Sequence, residues 1–131
     1  MSKKFKLIYV VDDDDIYVFT ALRVLESIDI TDRVQVFDNG KKAFDQLLTD
    51  SKLGNDLPEL VLLDLNMPIW DGWFFLSEFE KTNLMDKIKI MVVSSSIETE
   101  DIDRVTENKS VKEFISKPLN KESMKQLFDK Q

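Results

Sequence analysis

Five side chains able to do chemistry stand at the ends of apolar runs in this chain. Asp12 and Asp13 follow Phe5 to Val11, Asp64 follows Leu60 to Leu63, Ser94 follows Ile88 to Val93, and Lys117 follows Val111 to Ser116. Three carboxylates brought into one pocket repel one another, and burial raises their pKa unless cations compensate. An all-oxygen donor set suits Mg²⁺, a hard ion that keeps several waters, better than zinc or copper. Lys117 would add a fixed positive charge. One carboxylate free to attack, a metal and an ammonium form a site for phosphoryl transfer, with the hydroxyls of Ser94 and Ser95 available to the phosphoryl oxygens. Each residue also has a plainer role: acidic runs are commonly solvated loops, and serine after a strand is commonly a turn residue. Their joint placement at run ends favours chemistry.

The rest of the composition narrows the alternatives. The chain has no histidine and no cysteine, which excludes Ser-His-Asp triads, histidine-ligated zinc, thiolate sites and disulfides. With 18 basic and 25 acidic side chains the formal charge is -7, which disfavours direct nucleic-acid binding. No run approaches the ~20 apolar residues of a membrane span, and Lys3, Lys4 and Lys6 lead into too short an apolar stretch for a secretory signal. A single domain over residues 1–131 in the cytoplasm, without membrane association, is the expectation.

The elements that must position these residues alternate. Phe5 to Val11 reads as a strand; Asp14 caps a helix whose apolar face is Val18, Leu22, Leu25 and Ile28, widened by Phe19 and Ala21. Arg33 to Phe37 reads as an outer strand followed by a turn at Asp38-Asn39-Gly40, then a helix with Ala43, Phe44, Leu47 and Leu48 inside. Thr49 to Pro58 reads as a longish loop. Leu60 to Leu63 has the unbroken apolar character of a strand buried on both faces. Beyond Asp71-Gly72, Phe75, Leu76 and Phe79 face inward from a third helix. Ile88 to Val93 is a strand, and Glu98 to Lys109 the weakest helix, with only Ile102 and Val105 apolar on one face. Val111 to Ser116 is the last strand, and Asn120 caps a final helix burying Met124, Leu127 and Phe128. Five β-α repeats imply a parallel sheet covered on both faces, with ligands at the carboxyl edge of its strands.

Four motifs together resemble a response-regulator receiver domain over nearly the whole length: VVDDD, LLDLNMPIWDG, VVSSS and FISKP. The resemblance implies an α/β, flavodoxin-like, doubly wound five-stranded parallel sheet of order 2-1-3-4-5. It also implies a phosphoacceptor at Asp64, with Mg²⁺ held by Asp13, Asp64 and the Asn66 backbone carbonyl, and by Asp12 through water. Lys117, Ser94 and Ser95 would stabilise the phosphoryl group, Ser94 and Phe114 would be the switch pair, and Lys117-Pro118 would be a cis bond. The donor would be a sensor histidine kinase or a phosphotransfer protein. The output would be contact with an unidentified downstream protein through the face of the fourth helix, fifth strand and fifth helix, with phosphorylation-dependent dimerisation open to the family. Such a protein is no enzyme beyond self-catalysed phosphoryl transfer and autodephosphorylation. The Thr49 to Pro58 loop resembles that of stand-alone receivers serving phytochrome-type kinases. The chain departs from the family at Glu107 to Lys112, where a small Gly/Ala-rich segment is common, and at Phe114, where tyrosine is commoner.

Two alternatives stand beside this assignment. A pseudo-receiver would keep the fold and ignore phosphorylation; the intact acidic pair, Asp64 and Lys117 argue against it. A phosphatase of the haloacid-dehalogenase type would need an aspartate two residues after its nucleophile, and Asn66 occupies that place.

Overall fold

A computed structural model of the chain describes residues 5–94, 99–117, 121, 122, 124 and 125. The elements are β1 (Phe5–Val11), α1 (Asp15–Ile28), β2 (Thr31–Phe37), α2 (Gly40–Leu53), β3 (Leu60–Leu63), α3 (Gly72–Glu80), β4 (Lys89–Ser94), α4 (Thr99–Glu107) and β5 (Val111–Ser116). Residues 121, 122, 124 and 125 are helical, and Met124 is fully buried. The five strands form one parallel sheet of order β2-β1-β3-β4-β5, as expected for the doubly wound class.

The sheet's interior strands are largely apolar, β3 entirely so, because successive side chains go to opposite faces and both faces are covered. Leu7, Tyr9, Val11, Val61, Leu63, Ile90 and Val92 enter a layer with Ala43, Phe44 and Leu47 of α2, Phe75, Leu76 and Phe79 of α3, and Val105 of α4. Their neighbours Ile8, Val10, Leu60, Leu62, Met91, Val93 and Ile115 enter the opposite layer with Tyr17, Ala21 and Leu25 of α1 and with Met124. Asp12, Asp64 and Lys117 therefore leave a clamped sheet at one edge. The backbone ladder continues past the strands to hold them: Asp12 N–H donates to Phe37 O (2.9 Å), Asp64 N–H to Val11 O (3.0 Å) and Lys117 N–H to Ser94 O (3.0 Å).

Two local expectations change. The buried stripe of α1 is Tyr17, Ala21 and Leu25, and Phe19 is exposed, its ring beneath the Arg23 guanidinium. Asp14 caps the helix, as expected, by accepting from Ile16 and Tyr17 N–H, and Tyr17 is buried. The turn at Asp38-Asn39-Gly40 runs directly into the helix: Asn39 caps α2 by accepting from Lys42 N–H at 2.9 Å, and Gly40 is the first helical residue. Helix α2 also continues to Leu53 and stops at Gly54, whose φ of 74° supplies the left-handed cap. The whole first half of the expected loop is thus helix. Its polar sequence conceals this because Asp50 is buried by its own neighbours, accepting from Gln46 (2.9 Å) and Asn55 (3.1 Å). Among the described residues, no helix is long and apolar enough to cross a membrane.

Candidate functional site

The site grows from the edge of β1. Asp12 follows the last β1 residue and is 2% exposed. Its Oδ1 accepts from Asp14 N–H (2.9 Å), which turns the chain toward the start of α1 and leaves Oδ2 facing the Lys117 ammonium at 2.8 Å. Asp13 is exposed at the rim of the same edge. Asp64 follows β3, is 5% exposed, and has its Oδ2 3.9 Å from the same ammonium. One carboxylate oxygen from each of Asp12, Asp13 and Asp64 can be chosen so that all three lie within 4.8 Å. That separation and the hard oxygen donors fit a small divalent cation such as Mg²⁺ bound through few protein ligands and water.

Electrostatics bear out the cost of assembling such a cluster. Burial, followed by the charge of Asp12, pushes the Asp64 carboxyl up to about 6, against the opposing pull of Lys117 and an Asn66 backbone hydrogen bond. Asp12 is raised as well, chiefly by burial, with Lys117 and the Asp14 N–H acting in the other direction. One ammonium is shared by two buried acids, so the pocket carries uncompensated negative charge.

The loop after β3 is fixed from outside. Gly40 N–H reaches Ile69 O (3.3 Å) and Trp70 O (3.2 Å), and Trp70 takes a left-handed φ of 51°. A Cβ on Gly40 would stand 2.4 Å from Trp70 O, so the approach of α2 to this loop requires glycine. Gly72 is equally constrained: its Cβ would lie 2.4 Å from Asp64 O and 2.8 Å from Leu65 Cα. Asp71 caps α3 by accepting from Phe74 N–H at 2.9 Å. The expected turn is therefore a braced support for Asp64, and Asn66 stands exposed upon it.

Of the remaining expected residues, Ser94 ends β4 fully buried, and its Oγ has no hydrogen-bond partner among the described residues. Phe114 is half-buried on β5, against the layer that holds α2, α3 and α4. Ser95, the Lys117-Pro118 bond, Asn120, Leu127 and Phe128 fall at or beyond the limits of the described residues, so expectations for them lie outside what the structure describes. Tyr17 was absent from the sequence-based set. It is 7% exposed, and the Lys117 ammonium lies 4.3 Å from its ring centroid. The available signal was its place at the head of the Tyr17, Ala21, Leu25 series, two residues after the acidic run.

Residues 8–129 match the sequence model of the family described as "Response regulator receiver domain". The chain belongs to this family. Among curated relatives, this receiver domain is 30% identical over 123 residues to the "Probable methanogenesis regulatory protein FilR2" of Methanothrix harundinacea, covering 94% of this chain and 79% of the relative. Among solved structures, it resembles a two-component response regulator from Cytophaga hutchinsonii with a TM-score of 0.88 and 25% identity, covering 98% of this chain and 97% of the other. It also resembles the phosphorylated cyanobacterial phytochrome response regulator RcpA, with a TM-score of 0.76 and 28% identity over 93% of this chain and 87% of the other. Receiver domains interact with histidine kinases or phosphotransfer proteins and are normally phosphoacceptors rather than classical enzymes.

Proposed function

We propose that Asp64 is the phosphoacceptor of this receiver domain, taking a phosphoryl group from a histidine kinase or phosphotransfer protein. The observation that carries the proposal is the Lys117 ammonium set between Asp12 (2.8 Å) and Asp64 (3.9 Å) at the carboxyl edge of the sheet. A carboxylate oxygen of Asp64 attacks phosphorus, the bond to the donor's nitrogen or acyl oxygen breaks, and an acyl phosphate remains on Asp64. Lys117 then has a phosphoryl oxygen to pair with in place of the carboxylate, and the unpartnered Ser94 hydroxyl is a donor for another. Asp12, Asp13, Asp64 and the Asn66 backbone carbonyl are the proposed holders of Mg²⁺, which when bound neutralises the clustered acids and the incoming phosphoryl oxygens. Because the attacking group must be ionised, the raised pKa of Asp64 makes metal-free acceptance weak below about pH 6.

Signal output is proposed to pass by protein contact through the face formed by α4, β5 and the following helix, with Ser94 and Phe114 as the moving pair. Incubation with a small acyl phosphate tests the reading. The expected result is Mg²⁺-dependent incorporation of phosphate by the wild-type protein and none by Asp64→Asn. Undiminished labelling of that variant would overturn it, and absence of both labelling and metal affinity would favour a pseudo-receiver.

A further inference from the structure

Lys117 has a four-carbon stem and three donors, so two acids alone leave its ammonium several ways to sit. A third wall is present. The ring of Tyr17, from the first turn of α1, lies with its centroid 4.3 Å from Lys117 Nζ, and the two residues are 100 positions apart in sequence. The ring is 7% exposed and the Lys117 side chain 11% exposed, so the contact is largely shielded from water, where the attraction of a cation to a ring face is greatest. The Tyr17 hydroxyl is itself buried without a hydrogen-bond partner among the described residues. The buried ring body, and not the hydroxyl, therefore accounts for the residue's placement. Tyr17 is held there by the Asp14 cap at one side and by packing in the layer of Ala21, Leu25, Val93 and Ile115 at the other.

Resting on the phosphoacceptor reading above, we propose that Tyr17 is a positioning residue for Lys117: its ring face fixes the ammonium between Asp12 and Asp64. It acts through the lysine and touches neither the donor nor the transferred group. A receiver with a small aliphatic side chain here would leave the ammonium free to swing toward Asp12 alone, the acid it already approaches more closely.

Two variants and one spectroscopic signature test this. Tyr17→Phe keeps the ring and is expected to label with a small acyl phosphate at the wild-type rate in saturating Mg²⁺. Tyr17→Leu is expected to label about tenfold more slowly, a loss between those of an exposed and a fully desolvated cation–π contact. Independently of labelling, a Lys117 side chain beneath a ring face has proton resonances shifted upfield, identified by their disappearance in Lys117→Gln. The shift is expected in the wild type and Tyr17→Phe and to be lost in Tyr17→Leu. Wild-type labelling by Tyr17→Leu, equal slowing in Tyr17→Phe, or an unshifted Lys117 in the wild type would each overturn the proposal. If Tyr17→Leu does not fold, the resonances of the wild type and Tyr17→Phe decide alone. If the wild type does not label, the phosphoacceptor reading fails, while the Lys117 shift still reports whether the ring holds the ammonium.

Discussion

Asp64→Asn should stabilise the metal-free protein, although it removes the proposed centre of function. The structure gives the reason and the size. Asp64 is raised from 3.8 to about 6, so ionising it in the folded chain costs about 3 kcal/mol more than in the unfolded chain, at 1.36 kcal/mol per pKa unit. Solvent screening at this incompletely enclosed edge, where Asp13 is exposed, offsets part of this, leaving an expected gain of about 1–3 kcal/mol. The sign follows from proton counting. Between about pH 4 and pH 6 the folded chain holds a proton on Asp64 that the unfolded chain has released, so stability falls as pH rises through that window. The asparagine variant lacks this loss. Urea unfolding in a chelator should show the two proteins converging near pH 4 and the variant ahead at pH 7.5, with Mg²⁺ narrowing the gap by stabilising the wild type alone. An equal offset at all pH values, or a less stable variant at pH 7.5, would refute the electrostatic reasoning.

Other perturbations reach the supports of the site. Gly72→Ala places a Cβ 2.4 Å from Asp64 O, and should cost about 1–3 kcal/mol in urea unfolding and slow labelling of Asp64. Asp71→Ala removes the cap on Phe74 N–H and should cost about 1 kcal/mol by the same measurement. Arg104→Ala removes the guanidinium 3.9 Å from the Trp73 ring centroid, a contact between α4 and α3. It should change Trp73 fluorescence and cost about 0.5–1 kcal/mol, because Arg104 is exposed.

The fold was largely legible because its signals are local. Apolar runs bounded by acids and helical stripes alternate along the chain, and parallel strands separated by helices leave few topologies open. The meeting of Asp12, Asp64 and Lys117 followed from the same logic, since each stands just past a strand end. Contacts between distant segments were hidden. Nothing near Tyr17 announces a partner 100 residues away, and the expected face containing Phe19 drew on hydrophobicity alone. Gly40 read as a turn residue, whereas its real constraint is the carbonyl of Trp70, 30 positions later. The end of α2 was obscured because Asp50, a polar residue, is buried through local hydrogen bonds that hydrophobic periodicity does not register.

The central claim is that the acid at the end of β3 receives the phosphoryl group. Borohydride reduces an aspartyl acyl phosphate to homoserine, so peptide mass mapping after labelling reads the position directly. Homoserine at position 64 alone, formed with Mg²⁺ and not in chelator, is the expected result. Modification at Asp12, Asp13 or elsewhere with residue 64 intact would contradict it.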